Sequence, residues 1–412
     1  MDDTKSKLEK IEALRKSIEK ITRLSSEKKS RKSQNHKEVI SIEEIITGKF
    51  FTTPFGTSFM RENYFYPDYK CGEIELGQVS QISPKIISHL ARDERFNEFD
   101  IKQTVFLDTE TTGLAGGAGT YIFLVGVGYF ENDKFCVKQY FMRDFNEERA
   151  LLSALNELLK DFKAVVTYNG KNFDLPLMES RYIIAGINMI FRDSYHFDLL
   201  YPVRRLWKRR LENCSLSTVE RDILKVSRVK DVPGYLIPEI YFRYLKTKDA
   251  RELGPVFDHN LQDILSLVAL VSKIGKLVEN PLSQAQCGTD ILCVGRIFDE
   301  LKNYEKSSCY YKEALKYNLS EEELKDILSL GSLACKRKGE WEEAEKMWKE
   351  LIEIGKDFNY FPYEELAKYY EHRLKDYHKA EQIVTEALKR TNNIYYLKQL
   401  QYRLTRVKNK QM

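Results

Sequence analysis

The order of strand-like and helix-like segments between residues 104 and 280 most constrains what this chain can fold into. The apolar patterns predict strands at 105–107, 121–130, 135–142, 164–168 and 196–200, and helices at 147–159 and 177–185. Strands that follow one another directly pair antiparallel, whereas strands joined through a helix pair parallel. Three strands in succession, followed by alternating helices and strands, therefore predict an α/β domain on a mixed sheet.

A second constraint is a repeat in the last third of the chain. Aromatic residues lie 37 and 36 residues apart, and each is followed ten residues later by a small or apolar residue; the two sets are Tyr304, Trp341, Tyr377 and Ala314, Leu351, Ala387. Such a period predicts stacked helix-turn-helix units, because one unit cannot bury its apolar face alone. The pattern resembles tetratricopeptide repeats over roughly residues 287–391, with Gly295 among the matching small residues.

The length of 412 residues predicts more than one domain. Apolar residues spaced by three and four predict a helix over residues 1–24, and the polar run at 25–37 predicts a linker or a basic arm. We therefore expect four parts: an N-terminal helix and basic linker at 1–38, a lead-in segment of mixed structure at 39–100, the α/β domain at 101–280 and the helical repeats at 287–412.

Composition limits the class of protein more than its function. With 42% hydrophobic and 31% charged residues the chain has the composition of a globular protein, and its net charge of +4 does not identify a partner. The first residues lack the apolar segment of a secretory signal, and no apolar run is long enough to cross a bilayer. Seven scattered cysteines without a CxxC pair argue against disulfides or a zinc site. We expect a cytoplasmic protein without a membrane partner.

The first candidate site residues are Asp108 and Glu110, at the end of the apolar strand 105–107. Residues two apart on a strand project from the same face, so these two carboxylates would share one small site. An acidic pair that closes a strand is more often a solvated turn than a functional site, so the pair alone is a weak signal.

The second candidate is Asp174, in the segment Asn169-Gly170-Lys171-Asn172-Phe173-Asp174 between a predicted strand and a predicted helix. Asp174 could simply cap the helix, since Pro176 follows in its first turn. Loops at strand ends of α/β domains are also where ligands bind, which leaves a functional role open for Asp174 and for Asn169.

The third candidate is the pair His259 and Asp263, which begins a strongly apolar segment at 264–270. Residues four apart on a helix lie one turn apart on one face, so an imidazole and a carboxylate would project together. The alternative is again capping, by Asp258 or Asn260, with His259 merely half-buried.

Taken together, these three segments resemble the exonuclease motifs of the DEDD superfamily, which has a ribonuclease-H-like fold. More narrowly, the segments at 114–120 (LAGGAGT) and 233–238 (PGYLIP) resemble the bacterial YprB-type ribonuclease-H-like family. The resemblance covers roughly residues 100–275. It implies a catalytic site in which Asp108, Glu110, Asp174 and Asp263 hold two Mg²⁺ or Mn²⁺ ions.

In that superfamily the histidine or tyrosine of the third motif positions or deprotonates the attacking water, which implies that His259 is the general base. Imidazole suits this role because its ordinary pKa is near neutrality. The spacing departs from the superfamily: the histidine subgroup has four residues between His and Asp, the tyrosine subgroup has three, and this chain has His with three. The subgroup therefore stays open.

Substrate contacts are predicted at residues around these motifs: Thr109, Asn169, Arg204, Arg205, Lys208 and Arg209. The four basic residues lie on one side of a helix, and for that side substrate contact and ordinary solvation are equally good interpretations. Trp207 is in step with apolar neighbours and is predicted to lie in the core. The glycine-rich segment 113–119 lacks the lysine of a P-loop and is predicted to shape the edge of the site.

The sequence favours a metal-dependent nuclease that hydrolyses phosphodiester bonds, with the 3′-5′ exonuclease polarity that the resemblance implies. The alternative is a non-catalytic nucleic-acid-binding scaffold protein that acts through its helical repeats. All four acids are present, which favours the enzyme. A nucleic acid, either DNA or RNA, is the expected substrate, and the repeats are expected to bind a protein partner.

Overall fold

The computed structural model describes residues 39–113, 119–228, 231–354 and 357–411. The predicted N-terminal helix and basic linker at 1–38 lie outside these described residues. Most of the glycine-rich segment, residues 114–118, lies outside them as well.

A seven-stranded mixed sheet forms the centre of the first domain, in the order β1-β2-β7-β6-β5-β8-β9. Neighbours from β1 to β5 pair antiparallel, whereas β5, β8 and β9 pair parallel, so the prediction of a mixed α/β sheet is confirmed. The strands, with β3 and β4 forming a separate two-stranded sheet, are β1 (Lys49–Thr53), β2 (Gly56–Phe65), β3 (Lys70–Cys71), β4 (Ile74–Glu75), β5 (Thr104–Thr111), β6 (Ile122–Glu131), β7 (Lys134–Phe141), β8 (Ala164–Thr167) and β9 (Tyr195–Asp198).

The hairpin β1–β2 extends this sheet with residues that the sequence patterns assigned only to a lead-in of mixed structure. Strand β2 pairs with β7 from Phe59 to Phe65, and the hairpin turns at Gly56, whose φ of 123° suits glycine. The apolar and polar residues of these strands alternate poorly, which explains why the period-2 pattern did not predict them.

Helices cover both faces of the sheet, and one apolar core lies on each face. They are α1 (Ile42–Ile45), α2 (Pro84–Ala91), α3 (Glu148–Leu159), α4 (Asp174–Ala185), α5 (Leu200–Trp207), α6 (Leu216–Val219), α7 (Ile237–Thr247), α8 (Leu253–Glu279) and α9 (Pro281–Gln284). Helix α8 is the longest of them, at 27 residues, and it packs across β5, β6 and β7. No helix in the described ranges has the length and apolarity that crossing a membrane requires.

The second domain is entirely helical in its described part, as predicted. Its helices are α10 (Gly288–Glu300), α11 (Tyr304–Ala314), α12 (Glu321–Lys338), α13 (Trp341–Ile354), α14 (Tyr360–Lys368), α15 (Tyr377–Arg390) and α16 (Ile394–Gln411). Each of the three periodic aromatic residues is the first residue of a helix, α11, α13 or α15. Consecutive helices pack on one another, and the small or apolar residues ten positions later are buried. A π-helical turn at Tyr369–Leu374 continues α14.

Helix α10 joins the two domains by packing against α5. Ile297 and Phe298 of α10 belong to the same apolar cluster as Trp207, which is 1% exposed and lies in the core as predicted. Ion pairs surround this contact: Arg205 with Glu300 at 2.6 Å, Arg209 with Asp326 at 2.5 Å and Arg210 with Asp290 at 3.0 Å.

Candidate active site

The end of strand β5 supplies the first two carboxylates of the candidate site. Asp108 lies opposite Gly126 and Glu110 opposite Leu124 on β6. Both acids are half-buried, and Thr109 between them is half-buried too. The two carboxylates therefore emerge where the strand leaves the apolar core.

Asp174 is the first residue of helix α4 and does not cap it. The capping position is occupied by Phe173, which makes no side-chain capping bond. The Asp174 carboxylate instead accepts a hydrogen bond from the Thr109 hydroxyl at 2.5 Å. This contact connects the second acidic segment directly to the first.

Helix α8 carries the third segment well inside its length. Because the helix begins at Leu253, His259 and Asp263 lie beyond its first turn, so neither Asp258 nor Asn260 caps it. Asn260 is fully buried and donates from Nδ2 to the Asp108 carboxylate at 2.8 Å. Gln139 of β7 donates in turn to the Asn260 side-chain oxygen at 2.9 Å, which fixes the orientation of Asn260.

Two glycines of β6 allow α8 to approach the sheet this closely. A Cβ atom on Gly126 would lie 2.3 Å from the Asn260 side-chain oxygen, and one on Gly128 would lie 2.5 Å from Ile264. Contacts that short do not occur between real side chains, so a larger residue at either position would force the Asn260 or Ile264 side chain of α8 to shift. The close contact brings Asn260 and Asp263 to the end of β5.

Burial and mutual repulsion raise the pKa of three of the carboxylates, Asp108, Glu110 and Asp174. Burial and then the charges of Asp263, Glu110 and Asp174 raise the pKa of Asp108 well above its ordinary value. Burial, followed by Asp263 and Asp174, does the same to Glu110. Burial raises the pKa of Asp174 to about 6 against the opposing effect of the Thr109 hydrogen bond. The four acids thus lie within electrostatic reach of one another, although they come from three separate elements.

Arg228 is the cation that the sequence analysis missed. Its side chain is only 12% exposed, and its guanidinium binds the carboxylates of Asp263, Glu220 at 2.6 Å and Asp231 at 3.3 Å. Burial acts to lower the pKa of Arg228, but Asp263 and Glu220 raise it. One guanidinium is shared among three acids and leaves Asp108 and Glu110 without a direct cationic partner in the described part of the chain.

His259 is oriented by Asp231. Its Nδ1 atom lies 2.7 Å from an Asp231 oxygen, while Nε2 lies 3.6 Å from Asp263 and 4.0 Å from Glu110. A carboxylate only accepts hydrogen bonds, so we assign the Nδ1 proton to the bond with Asp231. Arg228 also approaches Nδ1, at 3.1 Å, but its donor has the second Asp231 oxygen as a partner. The Nε2 lone pair therefore faces the acids.

Asp198 holds the segment that contains Asn169. Its carboxylate, at the end of β9, accepts hydrogen bonds from the backbone N–H groups of Asn169 at 2.7 Å, Lys171 at 3.1 Å and Leu200 at 3.1 Å. Asn169 has a φ of 64°, a conformation that asparagine tolerates better than most residues. Asp198 thereby fixes the turn that leads into Asp174.

The predicted basic face is divided between the domain contact and solvent. Arg205 and Arg209 make the interdomain ion pairs with Glu300 and Asp326 described above. Arg204 and Lys208 are exposed. Only these last two remain free to meet a substrate without breaking a domain contact.

The donor set fits a hard divalent cation in its chemistry. Carboxylate oxygens are the ligands that Mg²⁺ and Mn²⁺ prefer, and the mutual repulsion of Asp108, Glu110 and Asp174 would be relieved by such a cation. As the side chains stand, no three Asp, Glu, His or Cys residues within the described ranges converge closely enough to hold a metal ion. Metal binding would therefore require the carboxylates to move closer to one another. It would also require the ion pair between Arg228 and Asp263 to weaken.

Sequence reasoning missed Arg228, Asp231, Glu220 and Asn260 for different reasons. Asn260 lies within the third motif and was considered only as a helix cap. The other three lie between residues 220 and 231, where the chain has no apolar periodicity that would assign them to an element. A buried arginine next to an acidic motif is a signal only when the fold is known.

The comparison with known families agrees with this fold. Residues 105–275 match the family model described as RNase_H superfamily, so the first domain is of the ribonuclease H type. The "Uncharacterized protein YprB" of Bacillus subtilis is 33% identical over 305 residues, which span 73% of this chain and 72% of that protein. The chain belongs to the YprB family.

Two further similarities are to DNA polymerases. The "DNA polymerase 1" of Aeropyrum pernix is 27% identical over 155 residues, which cover 33% of this chain and 15% of the polymerase. The structure of the family B DNA polymerase from Pyrobaculum calidifontis matches with a TM-score of 0.33 and 15% identity, over 47% of this chain and 28% of the polymerase.

Proposed function

We propose that this protein is a metal-dependent nuclease that hydrolyses phosphodiester bonds of a nucleic acid. The four carboxylates of Asp108, Glu110, Asp174 and Asp263 would hold two Mg²⁺ or Mn²⁺ ions, and His259 would act as the general base. The ribonuclease H type of fold supports the general class, and the similarity to a DNA polymerase supports a nucleic acid as the substrate.

One observation carries the proposal. Asp108, Glu110, Asp174 and Asp263 come from three elements that are distant in sequence, and burial together with their mutual repulsion raises the pKa of the first three. Crowding carboxylates in this way costs stability unless a cation offsets their charge. Arg228 alone cannot do so, because it also binds Glu220 and Asp231. Acids whose charge the protein does not offset are suited to binding divalent metal ions.

When bound, two divalent ions would polarise the scissile phosphate, lower the pKa of the attacking water and stabilise the attacking and leaving oxygens. The chain's own residues perform the remaining tasks. Asn260 orients Asp108 and Thr109 orients Asp174, so the carboxylates are held by hydrogen bonds that leave their other oxygens available. This second layer of contacts is what fixes ligand geometry in metal sites.

His259 would accept the proton of the attacking water at Nε2. The hydrogen bond from Nδ1 to Asp231 at 2.7 Å would hold the neutral tautomer whose Nε2 is the acceptor and would stabilise the imidazolium once it forms. Asp231 is thus proposed as a positioning residue for the base. The three-residue spacing to Asp263 leaves the Nε2 atom 3.6 Å from that carboxylate.

Exonuclease cleavage in the 3′-5′ direction is the finer form of the proposal, and it rests on the DEDD resemblance of the three motifs. Thr109, Asn169, Arg204 and Lys208 are proposed to contact the substrate, the last two because they are exposed basic groups on α5 and at its C-terminal cap. Tetratricopeptide-type repeats are proposed for the second domain, supported by its paired helices and their aromatic first residues.

The test is cleavage of end-labelled single- and double-stranded DNA and RNA by the purified full-length protein with Mg²⁺, Mn²⁺ or EDTA. We expect metal-dependent release of mononucleotides from the 3′ end. The Asp108→Ala variant should be at least about 100-fold slower, the scale expected when one charge-stabilising group is lost. A matched control is Asp258→Ala: Asp258 is a surface acid on the same helix as Asp263, and it pairs only with Arg61 among the described residues.

Cleavage at wild-type rates by Asp108→Ala, or no cleavage of any substrate with either metal, would contradict the proposal. Binding of nucleic acid without cleavage would favour the non-catalytic scaffold instead. Products with internal cuts would retain the nuclease and overturn the exonuclease polarity.

A further inference from the structure

A cationic cavity lies in the helical domain, away from the four acids in the sequence. It has a volume of about 520 Å³ and is formed by α12, α13, α14 with its π-helical turn, and α16. Five of its lining residues are basic: Lys336, Lys368, Arg373, Arg403 and Arg406. A concave surface with so many cations attracts an anionic ligand.

Two buried carboxylates hold most of these cations in place without neutralising them. Glu365 pairs with Lys336 and Lys368, and Glu371 pairs with Arg403, Arg406 and Lys410. Lys368 also reaches Glu364. The five basic residues that line the cavity face one lining carboxylate, Glu365, and the adjacent buried Glu371, so the cavity keeps a net positive charge after these ion pairs are formed.

Arg373 and Trp341 place two planar groups, a guanidinium and an indole ring, at the cavity. Arg373 is exposed and has no ion pair with the described residues, and its guanidinium lies 5.7 Å from the centre of the Trp341 ring. Trp341 itself stacks on Tyr369, with ring centres 5.7 Å apart and planes inclined by 5°. An uncommitted guanidinium beside stacked aromatic rings is suited to a ligand that combines phosphate with a planar ring.

We propose that this cavity binds a single-stranded segment of nucleic acid, with phosphates on the basic groups and a base beside Trp341. The alternation of phosphate and planar base along a single strand matches cations interleaved with aromatic rings. An acidic peptide would use the cations but has no need of the Trp341–Tyr369 stack. The inference rests on the proposed function in one respect: the strand held here would be the strand that is cleaved.

Trp341 provides a built-in reporter for the test. The other two tryptophans, Trp207 and Trp348, are 1% and 0% exposed, whereas Trp341 is half-buried at the cavity. The full-length protein is titrated in EDTA, which prevents metal-dependent cleavage, with a 12-nucleotide oligothymidylate and, separately, with a 12-residue polyglutamate. We expect the oligonucleotide to quench tryptophan fluorescence with saturation, and Trp341→Phe to remove the quenching while binding persists by anisotropy.

Arg373→Glu is the informative variant because Arg373 is exposed and holds no buried acid. We expect it to weaken oligonucleotide binding at least tenfold and to reduce the slope of binding against salt by about 1 or more. The matched control is Lys389→Glu, the same type of charge reversal at an exposed lysine of α15 that does not line the cavity. That control should bind like the wild type.

Equal weakening by both charge reversals would overturn the site, since it would mean general electrostatic attraction. Binding of polyglutamate as tightly as the oligonucleotide would replace the nucleic acid by an acidic peptide. Failure of this inference is separable from failure of the proposed function. If Arg373→Glu binds normally while Asp108→Ala abolishes cleavage, only the cavity is wrong; if the cavity binds and nothing is cleaved, only the nuclease is wrong.

Discussion

The two domains bury carboxylates in opposite surroundings. In the helical domain Glu371 is 0% exposed and is met by Arg403, Arg406 and Lys410. Burial acts to raise its pKa, but hydrogen bonds from Arg406 and Lys410 prevail and hold the pKa at about 2. In the α/β domain burial and repulsion raise the pKa of Asp108, Glu110 and Asp174 instead.

The difference separates an acid whose charge the chain itself neutralises from acids whose charge it leaves uncompensated. The charge of Glu371 is neutralised by Arg403, Arg406 and Lys410 of the same chain, so removing Glu371 leaves these cations without that partner. Asp108 and Glu110 at the end of β5 have no direct cationic partner among the described residues, since Arg228 pairs with Asp263, Glu220 and Asp231, so removing one of these two acids relieves repulsion. A buried acid that the protein itself does not neutralise is the better candidate for binding something from outside.

The largest expected effect is on stability. Glu371→Gln should lower the free energy of unfolding by about 3 to 5 kcal/mol, the range found when one partner of a buried ion pair is removed. Asp108→Asn, measured without divalent metal, should leave the free energy of unfolding unchanged or higher, because it removes a charge from a repulsive group. Urea denaturation of both variants measures this. Equal destabilisation by the two variants would erase the distinction between the two kinds of acid.

The second effect concerns acid denaturation. Since the pKa of Glu371 is lowered from 4.5 to about 2 on folding, its contribution is present above pH 4.5 and is lost as the pH falls through about 2. The full contribution corresponds to about 3 kcal/mol. The difference in unfolding free energy between wild type and Glu371→Gln should therefore shrink between pH 4.5 and 2. A difference that stays constant over that interval would mean that Glu371 is not the titrating group.

The third effect concerns metal. At a concentration of Mn²⁺ one hundred times its dissociation constant, the free energy of unfolding should rise by about 2.7 kcal/mol. Asp108→Asn should lose most of this increase and Glu371→Gln should keep it, which thermal unfolding with and without Mn²⁺ would measure. An increase that survives in Asp108→Asn would place the bound ion outside the four-acid site.

The smallest effect tests how the helix α8 reaches the sheet. Gly126→Ala should cost about 1 to 3 kcal/mol, because the new methyl group would lie 2.3 Å from the Asn260 oxygen. Gly254→Ala, on α8 where the nearest atom is 3.6 Å away, should be neutral or stabilising by about 0.5 to 1 kcal/mol. Denaturation midpoints compare the two. Tolerance of alanine at 126 without a shift would show that this close contact does not set the position of Asn260.

The sequence predicted those parts of the molecule that have strong periodicity. Strand β5, helix α4 and the repeat that begins helices at Tyr304, Trp341 and Tyr377 all follow from apolar spacing. The structure adds what spacing cannot supply, namely that Asp174 binds Thr109 instead of capping its helix. Choosing between a cap and a site residue required the tertiary contact.

Long-range charge pairing could not be predicted from sequence. Arg228 reaches Asp263 over 35 positions, and Arg205 reaches Glu300 over 95. The prediction that one helix carries the whole basic face is wrong, because α5 ends at Trp207 and both Lys208 and Arg209 lie beyond it. Two of the four residues, Arg205 and Arg209, pair with the second domain. The hairpin β1–β2 was missed because its strands alternate poorly and because β2 pairs with the distant strand β7, from Phe59 with Phe141 to Phe65 with Phe135.

The contact between α10 and α5 limits where the chain can be truncated to obtain the first domain alone. Ile297 and Phe298 share an apolar cluster with Trp207, so a cut after α9 would expose a core surface of the first domain to water. A fragment truncated there would expose a contiguous apolar patch, which promotes aggregation. It would also lack the acidic partners of Arg205, Arg209 and Arg210. For expression of the α/β domain as a separate fragment, α10 should be kept with it.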